Sequence, residues 1–92
     1  MFKVKPIEFG YYIEMTINED IVCRFVSGII KYLGIEFDDF NSKLKSYEGG
    51  YLELAHYRFG YPVKCIFFLD KKDAEKFIAE YLEPQLIIKE LS

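Results

Sequence analysis

Apolar residues occupy every second position between Phe9 and Ile17, and this alternation restricts the fold more than any other feature of the sequence. The residues in between are polar or small, apart from one tyrosine. Successive side chains of a β-strand point to opposite faces, so a period of two is typical of a strand with one buried face. The sequence therefore predicts a strand over residues 9–17 that lies on a core.

Helical and extended patterns alternate along the rest of the chain. One amphipathic helix is predicted between a capping Asn18 and a terminating Gly34. A second long helix is predicted between a capping Asp70 and Pro84. The remaining predicted elements are a short helix ending near residue 47 and strands at residues 51–57, 63–69 and 86–91.

This order of elements predicts an α+β fold, the ferredoxin-like split βαβ sandwich with a short helix inserted after the first long helix. Right-handed connections would place both long helices on one face of a four-stranded antiparallel sheet. The first and third predicted strands would then lie in its centre. A three-stranded α+β layer with an N-terminal hairpin is the alternative arrangement.

Length and charge narrow the class of protein. Ninety-two residues, 51% of them hydrophobic, are enough for a single domain over residues 1–92 with its own core. The net charge of −3 comes from interspersed signs, whereas nucleic-acid binding usually requires a basic excess. No apolar run is long enough for a membrane span, and the N-terminus does not have the pattern of a signal peptide. We therefore expect a cytoplasmic protein that binds neither nucleic acid nor membrane.

No residue pattern indicates catalysis, a cofactor or a metal site. His56 is the single histidine, and a lone histidine on a predicted strand is more often structural than catalytic. The acidic residues at 36–39 lack the spacing of a calcium-binding loop. Cys23 and Cys65 lie within apolar patterns, which favours two reduced, buried thiols. We therefore assign no catalytic, cofactor-binding or metal-binding residues.

The face of the sheet opposite the helices is the one candidate functional surface. Alternation along the predicted strands places large apolar or aromatic groups on it, with Glu14, Glu53 and Lys64 around or among them. Apolar patches of this size usually mark a contact with another molecule. The predicted interaction surface consists of Tyr12, Tyr51, Tyr57, Ile66 and Phe68.

Two functions from different classes are compatible with these patterns. The first is a small protein-interaction module without catalytic activity, which binds a protein partner or a second copy of itself through the outer sheet face. The alternative is a small-molecule-sensing domain or small enzyme of the dimeric ferredoxin-like type. A pocket of that kind needs polar groups that converge inside the core, and the predicted core positions contain almost none.

Overall fold

The protein folds as an α+β domain with a five-stranded antiparallel sheet. The computed structural model describes the backbone of residues 1–58 and 61–92 and the side chains of residues 1–54 and 63–92. The spatial order is β1-β2-β5-β4, and β3 pairs with the end of β2. The strands are β1 (Phe2–Ile7), β2 (Gly10–Asn18), β3 (Ile21–Cys23), β4 (Gly50–Arg58) and β5 (Tyr61–Phe68).

Helices cover one face of this sheet. Helix α1 (Val26–Leu33) ends at Gly34, whose φ of 70° and backbone bonds to the last turn confirm the predicted terminating glycine. Helix α2 (Phe37–Lys45) is the predicted short helix. Helix α3 (Lys71–Phe77) begins at Asp70, whose side chain accepts a hydrogen bond from the Lys72 amide at 2.8 Å. Helix α3 continues through a π-helical turn (Ile78–Leu82) into α4 (Glu83–Leu91).

One core lies between the sheet and all the helices. Ile13 and Met15 of β2 and Ile66 and Phe68 of β5 contribute from the sheet, and all are fully or almost fully buried. The helices contribute Val26, Ile29, Leu33, Phe40, Leu44, Ala74, Phe77, Ile78, Leu82 and Leu86. Since every helix packs against this one cluster, the opposite face of the sheet carries no helix in the part of the chain that the structure describes.

The predicted strand at 86–91 is wrong, because this segment is helix α4. A π-helical turn ends at Leu82, two residues before Pro84, so the proline follows a widened turn instead of ending a regular helix. Ile78, Leu82 and Leu86 follow one another at intervals of four residues and extend the buried stripe of α3. The edge position beside β2 belongs instead to β1, which forms with β2 an N-terminal hairpin that only the alternative arrangement included.

The start of the first predicted helix is also wrong. The Asn18 side chain accepts a hydrogen bond from the Asp20 amide at 3.0 Å, an Asx turn within the chain reversal. The chain then returns along β2 as β3, and α1 begins only at Val26. Asparagine favours caps and turns for the same reason, since its side chain accepts hydrogen bonds from nearby amides. The sequence pattern therefore did not distinguish the two structures.

Phe9 lies at the tip of the β1–β2 hairpin in a left-handed conformation, with φ of 69°, and is 86% exposed. We expect Phe9→Gly to raise the free energy of unfolding by about 1 kcal/mol, because glycine adopts this φ without steric cost and little packing is lost. Glu8→Gly is the matched control. Its φ is not positive, so glycine there should destabilise by about 0.5–1 kcal/mol. Urea melts that show equal losses for both variants would contradict the turn geometry.

No helix among the described residues combines the length and the apolar character needed to cross a lipid bilayer.

Candidate protein-interaction surface

A row of four side-chain positions crosses the sheet on the face without helices, which we call the outer face. Tyr12 pairs directly with Phe67, and Phe67 pairs with Tyr51 on its other side. Tyr12 also pairs with Lys5 of β1. Directly paired residues of neighbouring strands share a face. Three aromatic residues on adjacent strands therefore form a continuous band, which ends in a lysine at the β1 edge.

Phe67 is the centre of this band, although only 4% of its surface is exposed. The Tyr51 ring lies against it, with 4.8 Å between ring centroids. On the β2 side the ring lies over Gly10, where a Cβ atom would come within 3 Å of three ring carbons. Glycine is therefore required here for close approach of the ring to the strand. The Phe67 ring is thus packed between Gly10 on one side and the Tyr51 ring on the other.

Charged residues border the aromatic band, and their signs differ between the two edges of the sheet. Lys3 and Lys5 lie on β1 at one edge, and Glu53 lies on β4 at the other. Glu14 pairs with Lys3 and lies on β2 between the two edges. Among the side chains that the structure describes, the outer face thus carries lysines at the β1 edge and a glutamate at the β4 edge.

Tyr51 is the most accessible aromatic residue of the band, with 39% of its surface exposed. Burial raises its pKa above the ordinary tyrosine value, and the nearby Glu53 carboxylate raises the pKa further. The hydroxyl group therefore stays protonated near neutral pH. It presents a neutral donor and acceptor beside an apolar ring, a combination that is common in protein interfaces.

The structure separates the five residues of the predicted surface. Tyr12 and Tyr51 lie on the outer face as predicted. Ile66 and Phe68 do not, because both are completely buried in the core beneath the helices. The side chain of Tyr57 lies outside the described residues, as does that of His56.

The correction at β5 inverts the predicted phase of that strand. Residues 65–68 are all apolar and all buried, so both faces of the strand carry the same kind of side chain. A period of two cannot indicate which face meets the helices in such a strand. Pairing with β2 and β4 decides it: Phe67 aligns with Tyr12 and Tyr51, whereas Ile66 aligns with Leu52 on the helix side. Lys64 consequently follows Ile66 to the helix side, where it is exposed.

The two cysteines are free thiols in the structure. Cys23 is half-buried and its Sγ donates to the backbone oxygen of Phe25 at 3.5 Å. Cys65 is buried, and burial raises the pKa of its thiol although the Arg24 guanidinium acts in the opposite direction. A thiol with a raised pKa is a poor nucleophile at neutral pH, so Cys65 is not a reactive thiol.

Tyr47 and Glu80 form a side-chain hydrogen bond on the helix side. The Tyr47 hydroxyl donates to Glu80 Oε1 at 2.6 Å, which ties the segment after α2 to the π-helical turn. Burial and this hydrogen bond raise the pKa of Tyr47 to about 12. A phenol that holds its proton so firmly does not act as a general base near neutrality. The contact therefore has a structural role and holds the segment after α2 against the π-helical turn.

The chain matches no protein-family model, no curated protein and no solved structure.

Proposed function

We propose that this protein is a protein-interaction module that binds a second copy of itself through the outer face of its sheet. One observation carries the proposal: an aromatic band of Tyr12, Phe67 and Tyr51 lies on a face that no described helix covers, between lysines on β1 and Glu53 on β4. Aromatic residues supply much of the binding energy in protein interfaces. Because the β1 lysines and Glu53 carry charges of opposite sign, the lysines of one copy can lie opposite the glutamate of the second copy.

Symmetry determines how two copies would meet. Most homodimers have a two-fold axis, and the same surface then contributes on both sides. An axis parallel to the strands places the β1 edge of one copy opposite the β4 edge of the other. Lys3 then faces Glu53 of the second copy, and Lys5 faces the ring of Tyr51 in a cation–π arrangement. Tyr12 faces Phe67 across the axis.

An axis across the strands would give a different result. It would place each β1 edge opposite the β1 edge of the second copy, so that lysines meet lysines. Like charges in direct opposition destabilise an interface. The charge distribution of the outer face therefore favours the axis parallel to the strands.

Charge exchange between Lys3 and Glu53 tests this arrangement. We expect Lys3→Glu and Glu53→Lys each to weaken self-association about tenfold, because each change opposes two like charges. The double variant should recover most of the loss, since the pair is restored with its signs reversed. The dissociation constants are measured by sedimentation across a dilution series.

Lys72→Glu is the matched control for the charge exchange. Lys72 is exposed on α3, on the helix side of the molecule, so the same change in net charge should leave self-association unaltered. If the double variant self-associates more weakly than either single variant, the result would contradict the proposed axis. Self-association that no variant alters would remove the outer face as the interface. Circular dichroism of each variant confirms that the fold is retained.

We infer two further properties of the protein, its fold type and its location in the cell. The fold is a rearranged ferredoxin-like sandwich, in which β1 fills the edge position that the predicted C-terminal strand would have taken. The observed strand order, with β2 and β5 in the centre, supports this inference. The module works in the cytoplasm, where free thiols such as Cys23 and Cys65 stay reduced.

A further inference from the structure

A groove of about 400 Å³ runs between the edge strand β1 and the helix that packs beside it. Phe2 and Val4 line the groove from the strand, and Ile78 and Ala79 line it from the π-helical turn. Its apolar part therefore lies directly against the unpaired edge of the sheet. Tyr12, Phe67 and Tyr51 do not line the groove, whereas Lys3 and Lys5 border both the groove and the outer face.

The backbone of β1 presents free hydrogen-bonding groups to this groove. The Thr16 amide donates to the Met1 oxygen at 2.6 Å, which makes Met1 and Thr16 a hydrogen-bonded pair. Bonded and non-bonded pairs alternate along an antiparallel ladder. Phe2 and Val4 consequently direct their N–H and C=O groups away from β2, towards solvent. Pro6, the next outward-facing position, has no N–H and ends the available edge.

Charge defines the two sides of any strand added at this edge. Lys3 and Lys5 lie on the outer face of β1, so an added strand would have basic neighbours on that face. On the helix side the groove meets Lys71, Glu75 and Glu83, which are of mixed sign, around an apolar centre. The added strand should therefore carry acidic residues towards the outer face and apolar residues towards the helix.

We propose that β1 and this groove bind an extended peptide segment of another protein, in which acidic and apolar residues alternate. The segment pairs with the free groups of Phe2 and Val4 as an additional strand, a recognised mode of peptide binding. Its apolar side chains enter the groove beside Ala79. Its acidic side chains lie next to Lys3 and Lys5.

A second copy of β1 is a poor occupant of the same edge. Antiparallel pairing of two β1 strands would place Lys3 and Lys5 beside the same lysines of the other copy. Like charges on paired strands destabilise the pairing, and edge lysines are a common protection against it. The lysines of β1 therefore disfavour pairing with a second copy of β1 and favour pairing with an acidic segment.

The probe is a blocked peptide of four alternating Val-Glu repeats, and the control peptide replaces each Glu with Lys. We expect the acidic peptide to bind at about 1 mM or below and to protect the Phe2 and Val4 amides from hydrogen exchange. The amides of β4, at the opposite edge, should be unaffected. The basic peptide should not bind. No protection at β1 at millimolar peptide, or equal binding of both peptides, would overturn the proposal.

Ala79→Trp fills the groove without touching the core, since Ala79 is exposed. It should weaken peptide binding at least tenfold. Lys76→Trp, an exposed position on α3 that does not line the groove, is the matched control and should bind normally. Undiminished binding by Ala79→Trp would overturn the groove as the site. The Glu53→Lys variant should keep its peptide affinity, which separates this site from self-association through the outer face.

Discussion

Replacement of Phe68 with alanine is expected to lower the free energy of unfolding by about 3–5 kcal/mol, as measured by urea denaturation. Phe68 is completely buried in the core. Its ring centroid lies 5.6 Å from that of Phe77 and 6.5 Å from that of Tyr47, so truncation leaves a cavity between the sheet, α3 and the segment after α2. A loss of this size is a large part of the stability of a small domain.

Leu69→Ala provides the comparison at the next position along the chain. Leu69 is 60% exposed, and its truncation should change the stability by no more than about 0.5 kcal/mol. The contrast between the two variants tests whether Phe68 lies in the core. A small loss of stability on truncation of Phe68 would indicate that this residue does not lie in the core, and would contradict its assignment to the helix side of the sheet.

Phe77→Ala is the second substitution with a large expected effect, again about 3–5 kcal/mol. Phe77 is fully buried at the centre of an aromatic cluster. Its ring centroid lies between 5.2 and 5.9 Å from those of four other aromatic rings, which belong to Phe40, Tyr47, Phe68 and Tyr81. Edge-to-face and tilted contacts of this kind add to the energy of burial, so the loss should lie in the upper part of the range.

Phe37→Ala is the matched control for Phe77. Phe37 begins α2 and is 42% exposed, so the same change of side chain should cost about 1 kcal/mol or less. Thermal or urea melts that show similar losses at the two positions would contradict the packing of α2 and α3 against one another through this cluster.

The sequence predicted those elements whose pattern has a single structural interpretation. The alternation over residues 9–17 identified β2 and its buried face, including Ile13 and Met15. Phe9 is the exception, because it lies in the turn before β2 and is exposed. Gly34 and Asp70 marked helix ends correctly, because each supplies the backbone freedom or side-chain acceptor that a helix end needs.

Other elements depended on interactions between distant parts of the chain. Either the N-terminal or the C-terminal segment could have formed the edge strand beside β2. The C-terminal segment does not form it, because Leu86 packs in the core as part of a long helix. In β5 both faces are apolar, so only its pairing with β2 and β4 assigns Phe67 to one face and Phe68 to the other. A strand that is apolar on both faces gives no local signal of which face meets the core.

The candidate surface was therefore predicted in part. Tyr12 and Tyr51 lie on it as predicted, while the sequence analysis missed Phe67 and wrongly included Ile66 and Phe68. Gly10 was the available signal, since a glycine within a strand often indicates close approach of another group. Here that group is the Phe67 ring.

Self-association of the unaltered protein tests the central proposal most directly. Sedimentation equilibrium across a wide range of concentrations should give twice the monomer mass at high concentration and the monomer mass on dilution. Tyr51→Glu, which places a charge at the exposed end of the aromatic band, should shift this equilibrium towards monomer without loss of secondary structure. A protein that keeps the monomer mass at every concentration would contradict the proposal that the outer face binds a second copy.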